Sequence, residues 1–206
     1  MQTFLLSLSL IIPPSAAFMP PFETTLLLPT IIGQYHLCSG AILNRETVLT
    51  YADCFSGPEP WIGVLDSSGE RHVVKATKQY PLCNSSTRKY NIGMVKIEKH
   101  FNLSKTGNQE AKLSATRPAV GDVVNGVMGD MLAQSMKGIP SSTCEAQGEE
   151  FIPGVDQVCV STLSVVEGSY DSRPLVNVRK EVIGLMGYSS GCIVACVYTI
   201  VGPYLE

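Results

Sequence analysis

The feature that most constrains this chain is the recurrence of short β-type runs closed off by turn residues. Segments rich in Val, Ile, Leu and Thr stand at Ala41 to Leu43, Val48 to Tyr51, Trp61 to Leu65, His72 to Ala76, Ile92 to Ile97, Val123 to Met128, Val158 to Thr162, Leu175 to Val178, Glu181 to Met186 and Cys196 to Val201. β-Branched and aromatic side chains suit a pleated, half-buried surface, and the Gly, Pro, Asn and Asp residues between them supply turns. A helical reading fails. No stretch keeps an i, i+3, i+4, i+7 apolar pattern through four turns with a cap, and the 18 Gly and 13 Pro interrupt most windows. So many short strands would leave many exposed edges, which closed antiparallel sheets remove. The polar run Asn102 to Gln109, with the apolar pattern resuming at Val120, puts a boundary near residues 102 to 118 and divides the strands into two sets.

Composition narrows the function classes. The 206 residues are 45% hydrophobic and 16% charged, which suits one compact domain or two small fused ones. The formal net charge of -3 provides no basic field for nucleic acid or an anionic membrane surface. Seven cysteines without a CxxC pair exclude a zinc ribbon and a thioredoxin-type motif, and their odd count leaves at least one thiol without an intrachain partner. The three histidines, His36, His72 and His100, lack zinc spacing, so no metal and no cofactor is expected.

The N-terminus points to secretion. Phe4 to Ile12 is an apolar run followed by Pro13-Pro14 and Ser15-Ala16-Ala17, the pattern of a signal peptide over residues 1–17 that leaves 18–206 as the mature domain. That run is too short to span a bilayer. The uncharged stretch Cys192 to Leu205 is interrupted by Pro203 and reads as a buried strand. In an oxidising compartment disulfides form, and the sequons at Asn84 and Asn102 become glycosylation sites on surface loops.

Specific words then appear in order. Cys38-Ser39-Gly40-Ala41-Ile42-Leu43 and Val48-Leu49-Thr50-Tyr51-Ala52-Asp53-Cys54 are followed by Asn91-Ile92-Gly93-Met94-Val95-Lys96-Ile97, Pro118-Ala119-Val120-Gly121-Asp122 and Gly126-Val127-Met128-Gly129. After them come Ser141-Ser142-Thr143-Cys144-Glu145-Ala146, Gln157-Val158-Cys159-Val160, Arg173-Pro174-Leu175-Val176, Ser190-Gly191-Cys192 and Val197-Tyr198-Thr199. This series resembles the trypsin and chymotrypsin-like serine proteases over about residues 29 to 205. The resemblance implies an all-β fold of two antiparallel six-stranded barrels, the first over about 23–105 and the second over about 112–206, with a cleft between them. Ile31-Ile32-Gly33 then reads as the first barrel strand. The resemblance also implies a shortened N-terminus and a chain that stops at Glu206 before the family's C-terminal helix.

The family's acyl transfer needs a serine oxygen, an imidazole to shuttle its proton and a carboxylate to orient the imidazole. Matching the words residue by residue puts Asp53 at the histidine position, Asn91 at the aspartate position and Asp171 at the serine position, with Ser169 at the oxyanion glycine and Tyr170 at the aspartate that pairs with a new N-terminus. A carboxylate of reference pKa about 3.9 is a weaker base than imidazole, about 6.5, and carries no proton for a leaving amine at neutral pH. Ser172 beside Asp171 imitates the family's Asp-Ser step, but that alignment removes a residue from the tight turn before Pro174. The resemblance therefore implies a homologue without catalysis that acts by binding protein, as a decoy, cofactor or adaptor in an extracellular or reproductive-fluid protease network. Its cleft would be lined by Val165 at the pocket base and by Gly187, Tyr188 and Ser189 along the substrate-pairing strand. The alternatives are a rearranged hydrolase built from Asp53, Asp171 or Ser172, and a disulfide-linked structural protein.

The family pattern also implies the pairs Cys38 with Cys54 and Cys144 with Cys159. Glu167 stands where the family's partner of Cys192 belongs. Two pairings stay open: Cys192 with Cys196, which leaves Cys83 over, or Cys83 with one of those two. Either way one thiol is free or intermolecular, and a disulfide-linked dimer is one use for it.

Overall fold

The computed structural model describes residues 20–30, 33–55, 62–87, 89–104, 107–128, 131–146, 156–161, 173–186 and 195–205. Six strands form the first sheet: β1 (Glu23–Thr30), β2 (Gly33–Asn44), β3 (Thr47–Thr50), β4 (Gly63–Asp66), β5 (Arg71–Gln79) and β6 (Gly93–Ile97). They close in the order β1-β2-β3-β6-β5-β4, with every neighbouring pair antiparallel. The second sheet holds β7 (Val123–Met128), β8 (Met131–Gly138), β9 (Gln157–Ser161), β10 (Pro174–Val176), β11 (Val182–Met186) and β12 (Ala195–Ile200), closed as β10-β11-β12-β9-β8-β7. Closure leaves neither sheet with an open edge. Among the described residues the one α-helix is the single turn α1 (Ser141–Glu145), and no helix is long and apolar enough to cross a membrane.

Side-chain alternation is plain in β6, where Gly93, Val95 and Ile97 face inward while Met94 and Lys96 face out. In β11 every residue is buried, as expected where a strand is covered on both faces. Gly40 marks a close crossing of β2 and β3. A Cβ there would stand 2.6 Å from the Val48 side chain and 2.7 Å from the Leu49 carbonyl oxygen, so only glycine fits.

The first strand differs from the expectation. It is Glu23–Thr30, paired along its length with β2, whereas Gly33 opens β2 and residues 31 and 32 lie outside the described set. Tertiary pairing makes a strand of a segment whose Thr-Thr-Leu-Leu-Leu run lacks a period of two, and a bulge between Leu26 and Leu27 absorbs the irregularity. Strand β8 carries little β-branched character and escaped the sequence pattern; its pairing with β7 and β9 fixes it. The Leu175 strand ends at Val176, because Asn177, Lys180 and Glu181 form a turn that leaves Val178 exposed. Trp61 and Thr162 lie outside the described residues.

The barrels are joined by packing as well as by chain. The apolar cluster around Leu26, Ile42, Val48 and Val95 continues into Val176, Val182, Leu185 and Val201 of the second half. Tyr51 and Thr199 bond through their hydroxyls at 2.7 Å in the buried interface. Leu113 bridges to Val182, so the connecting segment is itself part of the interface.

Disulfides join Cys38 to Cys54 and Cys144 to Cys159, each closing a loop worth on the order of 3 kcal/mol by chain entropy. Cys196 is also disulfide-bonded, its partner lying outside the described residues, as does Cys192. Cys83 is a free, half-buried thiol, which removes the pairing of Cys83 with Cys192 or Cys196.

Candidate functional site

Asp53 lies in the 3₁₀ turn Ala52–Phe55 that follows β3, and Asn91 stands just ahead of β6, the strand paired with β3. Strand pairing therefore brings two residues 38 positions apart together. Asn91 is fully buried and clamps Asp53 from two sides: its Oδ1 accepts the Asp53 backbone N–H at 2.9 Å, and its Nδ2 donates to Asp53 Oδ2 at 2.5 Å. The result is a carboxylate held by a neutral amide, and the pair contains no imidazole.

A strained backbone aims Asn91. Tyr90 has φ 53°, a region that side chains other than glycine rarely enter, and the Ile92 N–H returns to the Tyr90 carbonyl at 2.8 Å. What holds it is Asp156, which no local motif singles out. Asp156 is buried, and its Oδ2 accepts the Tyr90 N–H at 2.7 Å and the Tyr204 hydroxyl at 2.6 Å. One carboxylate from the second barrel thus ties down the turn before Asn91 and the chain's last turn, Gly202–Tyr204. Burial, then the bond and charge of Asp156, push the Tyr204 phenol far above its ordinary range. The Tyr204 ring also meets Tyr80 edge-on at 4.9 Å. A lone Asp before the apolar run Gln157-Val158-Cys159-Val160 was the available signal, since a carboxylate at the head of a buried strand requires donors.

Cys83 lies in the same neighbourhood. Burial raises its thiol, and the charges of Asp53 and Asp156 raise it further, so it stays protonated and is a poor nucleophile at neutral pH. The histidines are engaged at other points: His36 Nε2 with the Ser39 hydroxyl at 3.3 Å, His72 in a buried network with Asp66, and His100 on the surface near Glu46 at 3.6 Å.

Glu23, at the head of β1, is buried, with Oε2 unpartnered. Burial raises its carboxyl to about 7 against the opposing charge of Arg173, which places a titratable group of the first barrel near the residue that leads into β10. Val165, Glu167, Ser169, Tyr170, Asp171, Ser172, Gly187, Tyr188 and Ser189 lie outside the described residues. Both sequon asparagines, Asn84 and Asn102, are exposed. A groove of about 340 Å³ lies between the outer face of the first barrel and the last turn, lined by Leu43, Leu49, Ile92, Met94, Tyr204 and Leu205 among others, and neither Asp53 nor Asn91 enters it.

Two closed six-stranded barrels, with Asp53 and Asn91 joined beside their junction, define a double-barrel protein of the serine-protease type. The trypsin family model matches residues 21–205, and the chain belongs to that family. Among solved structures it is similar to the scabies mite inactivated protease paralogue S-I1, with 20% identity and a TM-score of 0.75, over 90% of this chain and 91% of that one. It is also similar to a structure described as GrC, with 18% identity and a TM-score of 0.72, over 92% of each chain. At those identities the likeness is one of fold. A search of curated proteins finds no match.

Proposed function

We propose that this chain is a secreted, non-catalytic serine protease homologue that works by binding protein. The Asp53–Asn91 pair carries the reading. Where the family's chemistry calls for an imidazole oriented by a carboxylate, the side chains in contact are a carboxylate and an amide. Nothing in that pair can take a proton from a hydroxyl and return it to a leaving group near neutral pH. Asp171 at the nucleophile position and Ser169 at the oxyanion position, both read from sequence, agree with it, and so does the description of a structural neighbour as an inactivated protease paralogue. Two disulfides and exposed Asn84 and Asn102 fit secretion and glycosylation.

Incubation of the purified mature protein with a mixed peptide library tests the proposal. The expected outcome is no cleavage above that of an Asp53→Ala variant. Cleavage by the wild type that this variant lacks would establish the rearranged hydrolase instead. A second reading, a disulfide-linked structural protein, draws on the free thiol of Cys83. Non-reducing electrophoresis decides it: a dimer that Cys83→Ser abolishes favours that reading, and a monomer with one titratable thiol removes it.

A further inference from the structure

A bonded acid–imidazole pair does exist in this molecule, inside the first barrel. Asp66 ends β4, and its Oδ1 accepts the Ser68 N–H at 2.9 Å, the Ser68 hydroxyl at 2.6 Å and the Glu70 N–H at 2.9 Å. Its Oδ2 accepts Asn108 Nδ2 at 2.6 Å and stands 2.9 Å from His72 Nε2. Four donors besides the imidazole leave no place for a carboxylic proton, so Asp66 is ionised. Burial pushes its carboxyl up, but the bonds from Ser68, His72, the Glu70 amide and Asn108 together carry it below the usual carboxylate range. Nε2 of His72 must then donate. Nδ1 stands 3.1 Å from the Lys99 carbonyl oxygen, which has no hydrogen to offer, so Nδ1 donates as well. Both ring nitrogens therefore face oxygen atoms, and the Phe101 ring packs against the imidazole edge-on at 4.6 Å.

We infer that Asp66, His72 and Asn108 form a charged latch that pins the first part of the segment joining the two barrels, from Glu98 to Ser104 and from Gly107 to Gln109, onto the first barrel, with His72 carrying a hydrogen on each ring nitrogen. The contacts reach that segment at both ends. His72 holds the Lys99 carbonyl, while Asn108 is held by Asp66 and by the Ser67 hydroxyl at 2.7 Å. Between them the Ser104 N–H donates to the Asn108 carbonyl at 3.0 Å, and beyond them the Gln109 N–H donates to Pro21 ahead of β1. The charged groups around the latch are Asp66 from β4, Glu70 from the β4–β5 turn and Lys99 after β6, the last two paired with each other at 2.6 Å on the outside. Asp66, Glu70 and His72 also have metal-ligand proximity, but a metal needs a bare imidazole nitrogen and both are engaged. The latch is independent of whether the cleft is catalytic. It fixes the course of the connection and the exposed sequon residue Asn102 upon it.

Nitrogen-15 NMR of the full mature chain at pH 7.5 is the test. Both ring nitrogens of His72 are expected to be protonated, with zinc leaving their resonances unmoved; one unprotonated nitrogen, or a zinc-induced shift, would overturn the charged pair. Asn108→Ala is expected to speed amide exchange across residues 99–109 at least tenfold while β7 to β12 keep theirs. Unchanged exchange there would overturn the latch. Should the variant fail to fold, the wild-type spectrum still decides the protonation on which the latch rests.

Discussion

Asp66 and Asp53 stand in the same barrel, and each bonds a side chain that strand pairing brings to it. Asp66 meets an imidazole and is enclosed by Ser68, Glu70 and Asn108, whereas Asp53 is half-buried and meets the amide of Asn91. On the proposed reading the family's imidazole position is Asp53, whereas a buried carboxylate–imidazole pair among the described residues stands at Asp66. The difference teaches that an Asp–His contact is not a site in itself. At Asp66 every acceptor is saturated and the pair does structural work; at Asp53 the partner is a neutral amide.

Breaking the enclosed pair should have the largest effect. Asp66→Ala leaves His72 buried without its acceptor and Asn108 without its tie, a loss expected at about 3–5 kcal/mol in urea unfolding at pH 7. The same pair should fail in acid. Because the Asp66 carboxyl lies below its ordinary value in the folded state, its contribution is present above the unfolded-state value and is lost as pH falls through the folded one.

Glu23 has the opposite sign. Its carboxyl titrates at about 7 when folded against 4.5 as a free group, so the folded state holds the proton more tightly and stability falls as pH rises from 4.5 to 7. Glu23→Gln is therefore expected to stabilise by about 3 kcal/mol at pH 8 and by close to nothing at pH 4. A gain that does not depend on pH would contradict that account of the buried carboxyl.

The open pair should matter less to the fold. Asp53→Ala removes the Asn91 Nδ2 contact but keeps the backbone N–H on Asn91 Oδ1, and about 1 kcal/mol is expected by the same unfolding measurement. A loss as large as that of Asp66→Ala would erase the distinction between the two pairs. The smallest effect concerns reactivity. Cys83, raised by burial and by Asp53 and Asp156, should alkylate at pH 7.5 more slowly than the thiol of a free cysteine, and Asp53→Ala should speed it.

Much of this was legible in the residues. Lys96 and Met94 alternate with Val95 and Ile97 in a period of two, and Cys38 and Cys54 flank the words that carry the family resemblance. Those words placed Asp53 and Asn91 at related positions before any contact between them was visible. What escaped has a common cause. Met131–Gly138 becomes a strand only because β7 and β9 flank it, and Glu23–Thr30 only because β2 does. Asp156 and the left-handed Tyr90 are tied by a bond across 66 positions, which no local pattern records. The surroundings of His72 are equally non-local, since Lys99 and the Asp66-bound Asn108 are distant from it in sequence.

The most direct test of the central claim is the mass of the purified mature protein after treatment with a fluorophosphonate, which phosphonylates an activated serine. On the proposed reading, in which Asp53 and Asn91 replace an oriented imidazole, the protein should emerge with its mass unchanged and no adduct on Ser172. A stoichiometric adduct at that serine, abolished by Asp53→Ala, would show that the pair does activate a nucleophile and would contradict the account.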